Sequence, residues 1–239
     1  MKSERLRLTA MKRYLKQFPE MTGKLQDIVT LAAQITGVPV AFITLLDKDI
    51  QWINVHYGYE VNQMPRHTSF CTHTIQQEEV MVVEDALLDE RFSDNPIVMN
   101  PPSVKYYAGT PLKSADGQNV GTLCVMDVQT HHLTQNQLES LKALSRQVTN
   151  IMELSVSISY LKKSIEEIHE RNDALKKIAH VQSHEIRGPL STVMSVMNLI
   201  ADEGYPNNKE YLQLLQTSIK NLDEKICGIV AISNSTTIA

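Results

Sequence analysis

The sequence is poor in cysteine, and the three it has, Cys71, Cys124 and Cys227, are far apart and form no Cys-x-x-Cys pair. A scattered, odd-numbered set excludes a disulfide framework and a zinc module, and suits a reducing cytosol. Long hydrophobic runs are also missing. The longest, roughly Val38 to Leu46, falls well short of the ~20 residues a membrane helix needs, and charges fill the N-terminal stretch where a signal peptide would be apolar. No membrane span and a cytoplasmic location are therefore expected. Nor is there an excess of positive charge: 23 Lys and Arg against 27 Asp and Glu leave a net charge of -4, which gives no general attraction to nucleic acid. What is present is a globular composition, 42% hydrophobic and 21% charged over 239 residues, enough for two modest domains.

Those two parts differ in punctuation. Seven of nine prolines, six of nine glycines and ten of thirteen aromatic residues precede residue 150, so the first part is rich in turns and the second is not. The first alternates short β-type runs with turns: Val40 to Leu46, Gln51 to Val55, Val80 to Val83, Lys105 to Ala108 and Gly121 to Met126. Asp47 to Asp49 and Ala115 to Gly117 read as hairpin turns. Helical stripes flank the set, with Leu25, Ile28, Val29, Ala32 and Ile35 before it and Leu138, Leu141, Leu144, Val148 and Ile151 after it. The fold class expected here is α+β, an antiparallel sheet flanked by helices.

Beyond it, Ile151, Leu154, Ile158, Leu161, Ile165, Ile168, Asn172 and Leu175 step by 3 and 4, the spacing of a coiled-coil seam with one polar position, and this predicts a homodimer. Two more helical segments follow, about 176–201 and 208–232, broken by Gly204 and Pro206, with Asn207 or Asn208 available as a cap. Ile178, Ile186, Leu190, Val193, Met197 and Ile200 on one helix answer Leu212, Leu215, Ile219, Leu222, Ile226 and Ile229 on the other. Two such hairpins predict a dimeric, all-α four-helix bundle. The expected organisation is an N-terminal helix at 1–19, a mixed domain at 20–152, a coiled coil at 153–175 and a helical hairpin at 176–239.

Within the hairpin lies Ser183-His-Glu-Ile-Arg-Gly-Pro-Leu190. The apolar stripe runs through Ile186, Leu190 and Val193, which leaves His184 beside the core and facing water. A solvated imidazole can attack phosphorus, and the adjoining carboxylate of Glu185 can take its proton. Pro189 removes a helical hydrogen bond and is expected to loosen the helix. The stretch Ile178 to Val193 resembles the phosphoacceptor box of the dimerisation and histidine phosphotransfer (HisKA-type) domain of sensor histidine kinases. The resemblance covers about residues 176–235 and implies His184 as phosphorylated residue, Glu185 as acid-base partner, and Arg187 and Pro189 in the surface that docks a response-regulator receiver. It implies no cofactor in this chain and Mg²⁺ in the partner receiver. His180 does not match the acceptor position. Gly188 departs from the Thr or Asn commonly found there, whose side chain is associated with phosphatase activity. Only 55 residues follow His184, too few for an ATP-binding catalytic domain, so phosphate would have to come from a kinase catalytic domain in trans or from a longer chain.

Ser69-Phe-Cys-Thr-His-Thr-Ile75, Val82 to Ala86, Asp89 to Phe92, Asp94-Asn-Pro96, Val104 to Leu112 and Gly121-Thr-Leu-Cys-Val-Met-Asp127 look like a GAF sensory domain over about residues 20–152. GAF domains hold cyclic nucleotides, tetrapyrroles, haem or other small molecules. Neither the bilin-attachment Cys-His nor the cyclic-nucleotide signature is present, so the ligand stays open. The candidate contacts are Trp52, Cys71, His73, Tyr106 and Cys124, although Cys124 also reads as core. Cys71-x-His73 lacks a second pair at workable spacing, so no metal is expected. The basic N-terminal residues Lys2, Arg5, Arg7, Lys12, Arg13 and Lys16 read as a solvated helix face, and His131-His132 as the end of a loop before a capped helix.

Overall fold

Val40–Leu46 forms the first strand, β1, because its apolar run has two faces to fill: Ala41, Ile43 and Leu45 are buried on one side, Phe42 and Leu46 on the other. The computed structural model, which describes residues 2–202 and 209–236, adds β2 (Ile50–Tyr57), β3 (Gln63–Pro65), β4 (Met81–Val83), β5 (Tyr106–Lys113) and β6 (Asn119–Asp127). They make one antiparallel sheet in the order β3-β2-β1-β6-β5-β4. The turns at 47–49 and 114–118 join β1 to β2 and β5 to β6. β3, too short to show an alternating pattern, is an element the sequence does not announce.

A register shift between Ile43 and Thr44 sets the faces of β2. Val55 stands opposite Ile43 and Ile53 opposite Thr44, so Ile53 joins one core and Val55 the other. One core is covered by α1 (Lys2–Thr36) and the start of α4 (Gln135–Asp202): Met11, Tyr14, Phe18, Met21, Leu25 and Val29 meet Ile43, Leu45, Leu123 and Val125, with Leu141, Val148 and Met152 alongside. The other face carries the short helices α2 (Cys71–Thr74) and α3 (Pro96–Met99) with Phe70, Phe92 and Val104. Thr134 and Gln137 cap α4 reciprocally: Thr134 N donates to Gln137 Oε1 at 2.9 Å, and Gln137 N to Thr134 Oγ1 at 3.4 Å.

Several expectations need correction. No separate helix spans 1–19, because α1 continues through Pro19; Phe18, Met21 and Leu25, each fully buried, offset the lost hydrogen bond. Ile35, expected in the core stripe, is exposed. Arg7 is not on a solvated face. It is 6% exposed, donates from Nη1 to the Leu46 carbonyl at 2.7 Å, and pairs with Glu4 at 2.8 Å. Glu4 also pairs with Arg66 at 2.8 Å, which ties α1 to the segment entering α2. The Arg7 guanidinium outweighs the opposing effect of partial burial and, helped by Arg66, holds the Glu4 carboxyl down at about 2. A carboxyl depressed below its ordinary 4.5 stabilises the fold above that value and loses the effect as pH falls toward 2. Glu4→Gln is therefore expected to melt a few degrees below wild type at neutral pH, a loss of up to roughly 1 kcal/mol after solvent screening, and level with it near pH 2. Thermal melts across that range measure it; a pH-independent gap would contradict it.

The chain divides into two units, Met1–Lys162 and Lys163–Ala239, and the division falls inside the segment expected to be a coiled coil. α4 is one 68-residue helix, so the change of spacing near residue 151 marks no break, and Pro189 does not end it. In the second unit α4 is followed by α5 (Lys209–Thr236). The covered stripe of α4 keeps the expected Ile178, Ile186, Val193 and Ile200 but takes Pro189 and Val196, the latter at 3% exposure, where Leu190 and Met197 were expected. Leu190 and Met197 are left exposed, as are Leu212, Ile219 and Ile226 on α5, where Leu215, Ser218 and Leu222 are the covered positions. Gly204, Pro206, Asn207 and Asn208 lie outside the described residues, as does the side chain of Ile229. Among the described residues no helix is long and apolar enough to cross a membrane.

Candidate functional site

The sheet face turned away from α1 carries a cavity of about 330 Å³. Its floor is Val40 and Phe42 of β1, Gln51 and Ile53 of β2, and Met126 and Asp127 of β6. Its walls come from Tyr59, Val61 and Met64 on one side, Ser69, Phe70 and Cys71 on a second, and Ile97, Pro102 and Val104 on a third. A volume near the lower bound of small-molecule sites, nearly all apolar, fits a compact hydrophobic ligand with few polar groups. Among its polar side chains, Gln51 and Ser69 are hydrogen-bonded to each other, and the carboxylate of Asp127 meets His131 Nε2 at 2.5 Å.

Behind the wall lies a buried sulfur cluster. Cys71 Sγ and Cys124 Sγ are 3.8 Å apart, and Cys71 Sγ accepts from Thr122 Oγ1 at 3.1 Å and from Tyr107 Oη at 3.5 Å. Thr44 Oγ1 lies 2.9 Å from Thr122 Oγ1 and Thr74 Oγ1 2.7 Å from Tyr107 Oη, so each hydroxyl facing the sulfur has a further partner behind it. Burial alone would push both thiols up. At Cys71 the hydrogen bonds from Cys124, Thr122, Tyr107 and Ser69 outweigh burial and hold the thiol below its ordinary range. Cys124, donating toward that sulfur and itself buried, is driven well above it. At 3.8 Å the two thiols are close enough to titrate as a coupled pair. Phe70, stacked on Tyr107 at 5.1 Å, closes the cluster from one side.

Of the five candidate ligand contacts, the structure brings Cys71 to the cavity and Cys124 directly behind it. Trp52 and Tyr106 pack toward the opposite, helix-covered face, where Trp52 Nε1 and the Tyr106 hydroxyl are buried without a hydrogen-bond partner among the described residues. His73 faces Phe92 at 4.9 Å and is not part of the cavity wall; burial and the nearby Arg91 lower its pKa. Sequence reasoning missed Gln51, Ser69, Tyr107, Thr122 and Asp127 as site residues. Ser69, Tyr107, Thr122 and Asp127 lie within the GAF-like motifs, but their direction relative to the sheet is not readable from the sequence.

In the second unit His184 is exposed on α4, and so are Glu185 and Arg187, while Pro189 is half-buried. Lys225 Nζ of α5 approaches Glu185 Oε2 at 3.4 Å. Ala179, Ser183, Ile186, Arg187 and Leu190 line a shallow depression along the same helix. Among the described residues no group of three or more His, Cys, Asp or Glu side chains could hold a metal ion.

Comparison with known proteins bears on the first unit. A 102-residue stretch is 42% identical to a cyclic di-GMP phosphodiesterase of Pseudomonas aeruginosa, covering 43% of this chain and 17% of that protein. The chain thus spans about a sixth of that relative's length. Among solved structures, the GAF domain of an Acinetobacter phosphoenolpyruvate-protein phosphotransferase aligns at TM-score 0.48 and 19% identity, covering 65% of this chain and 98% of that one. The blue-light-absorbing form of the Thermosynechococcus elongatus PixJ GAF domain aligns at 0.49 and 12%, covering 65% and 96%. The sequence model of the GAF domain matches residues 21–152, more than half of the chain and the whole of the sheet with its cavity, and the chain therefore belongs to the GAF domain family.

Proposed function

We propose that the chain is a cytoplasmic two-component signalling protein in which the GAF cavity receives a small apolar ligand and His184 exchanges phosphate with a receiver aspartate. The observation that carries this reading is that α4, whose first turns cover the GAF sheet, is the same helix that presents His184 and Glu185 to solvent. A helix held by a ligand-responsive domain at one end has the means to alter a site further along it. The matching stretch in a cyclic di-GMP phosphodiesterase fits a sensor that nature attaches to different outputs.

In the chemical step an imidazole nitrogen of His184 attacks phosphorus. The bond from phosphorus to its donor oxygen breaks, and Glu185 takes the ring proton. Transfer onward reverses the roles, with the receiver's carboxylate as nucleophile and its Mg²⁺ neutralising the phosphoryl oxygens. Arg187 and Pro189 lie in the docking surface. The working unit is a homodimer: the exposed Leu190, Met194 and Met197 of α4 and Leu212, Ile219 and Ile226 of α5 supply a second apolar face on the hairpin, available to a second copy in a four-helix bundle.

The test is phosphorylation in trans. With a histidine-kinase catalytic domain and radiolabelled ATP, wild type is expected to take up acid-labile, alkali-stable label and pass it to a receiver domain, while His184→Gln takes up none. An unlabelled wild type, or equal label on His184→Gln, would overturn the assignment.

A further inference from the structure

We infer that Cys71 and Cys124 form an oxidisable dithiol whose substrate is a small hydroperoxide admitted through the apolar cavity. The inference is independent of phosphate exchange at His184. It rests on the juxtaposition of two buried thiols 3.8 Å apart, one of them in the cavity wall, under a set of hydroxyl donors aimed at that one sulfur.

The hydrogen bonding is directional. Thr74 can donate to the Tyr107 hydroxyl oxygen at 2.7 Å, which leaves the Tyr107 proton for Cys71, and Thr44 can donate to Thr122, which leaves the Thr122 proton for Cys71. Cys71 Sγ is thus the terminal acceptor of two hydroxyl chains and of the Cys124 thiol. A neutral thiol has little use for three donors, whereas a thiolate is stabilised by each. The cysteine that collects them is the one that lines the cavity, while Cys124 stands behind it on β6, where a resolving thiol belongs.

The Cys71 thiolate attacks the distal oxygen of R–O–O–H. A sulfur–oxygen bond forms, the oxygen–oxygen bond breaks, and RO⁻ leaves as the alcohol ROH after taking a proton. The sulfur of Cys124 then attacks the resulting Cys71 sulfenic acid. The disulfide forms, and the hydroxide leaves as water with the Cys124 proton. The sum is two thiols and one hydroperoxide giving one disulfide, one alcohol and one water, a two-electron exchange. Closing the sulfurs from 3.8 Å to bonding distance needs a shift of roughly 1.8 Å, within the reach of side-chain rotation plus a small movement of the four-residue helix α2. The product would pin α2 to β6 beneath the cavity, so the redox state of the pair and occupancy of the cavity act on the same wall.

The third cysteine, Cys227, is exposed and serves as an internal control. Native wild-type protein is treated with a small excess of tert-butyl hydroperoxide, quenched by alkylation under denaturing conditions, and mapped by mass spectrometry without reductant. The expected result is a Cys71–Cys124 linked peptide, reversible by dithiothreitol and formed roughly tenfold or more faster than oxidation at Cys227, because reactivity follows thiolate character over mere exposure. In Cys124→Ala the Cys71 sulfenic acid should persist and be trapped by dimedone. Oxidation at Cys227 with Cys71 and Cys124 still fully alkylatable would overturn the inference, and that readout needs no variant to fold.

Discussion

Gly121→Ala is expected to lower the melting temperature of the GAF domain by on the order of 10 °C, a loss of roughly 3 kcal/mol or more. Gly121 lies in β6, paired with Leu45 of β1 on one side and Leu112 of β5 on the other. A β-carbon there would overlap the Thr44 carbonyl oxygen and press on the Thr44 carbonyl carbon at 2.9 Å. These are backbone atoms of the neighbouring strand, so no rotamer change relieves the overlap; β1 and β6 must separate at the centre of the sheet. The disturbance falls next to Thr44 and Thr122, whose hydroxyls feed the hydrogen bonds to Cys71. The contrast is Gly188 in α4, where a β-carbon meets nothing within 4 Å and Ala should be neutral or stabilising by up to about 1 kcal/mol. Circular dichroism melts of the two variants decide it. A Gly121→Ala protein melting within 2 °C of wild type would show that the strands have slack the geometry denies them.

The same region shows what could be read from the sequence and what could not. β1 and its turn at 47–49 were legible because a seven-residue apolar strand with buried side chains on both faces admits few other readings. The choice of cavity contacts was not, because a sheet has two faces and the sequence does not say which one the helices cover. Tyr106 and Tyr107 are neighbours on β5 with opposite directions; Tyr106, the expected contact, faces the helix-covered core, and Tyr107 is the one that reaches Cys71. In β2 the register shift beside Thr44 breaks the two-residue period, so alternation counted along Gln51 to Val55 could not place Ile53 and Val55 in different cores. Arg7 reads as solvated because the partner that buries it, the Leu46 carbonyl, is 39 residues away, and its local partner Glu4 is equally compatible with an exposed helix face. The stripe through Ile186 puts His184 on an exposed face, and the exchange of Leu190 and Met197 for Pro189 and Val196 in that stripe leaves His184 exposed all the same.

Leu161→Lys combined with Ile168→Lys is expected to convert a dimer into a 27.0 kDa monomer. Along α4 the side chains of Leu154, Leu161, Ile165, Ile168 and Leu175 are each more than half exposed, and Ile158 is 39% exposed, at steps of 3, 4 and 7 residues. Such a stripe loses roughly 1.5–3 kcal/mol per side chain left in water, and a second copy carries the same stripe in the same order, so the surface is complementary to itself. Asn172 on the seam favours one register and a parallel pair, which would hold the two His184 residues level with each other. Two substitutions remove four apolar side chains from the interface and put four like charges in their place. At the lower figure that is roughly 6 kcal/mol, or at least 10⁴-fold in dissociation constant, enough to carry a nanomolar dimer beyond the micromolar range. Sedimentation equilibrium of wild type should give about twice 27.0 kDa, and of the double variant 27.0 kDa, with the GAF melting transition unchanged because neither residue is buried in the chain. A wild-type monomer at micromolar concentration, or a double variant that stays dimeric, would remove the seam from the account and leave the hairpin's second apolar face to find another partner.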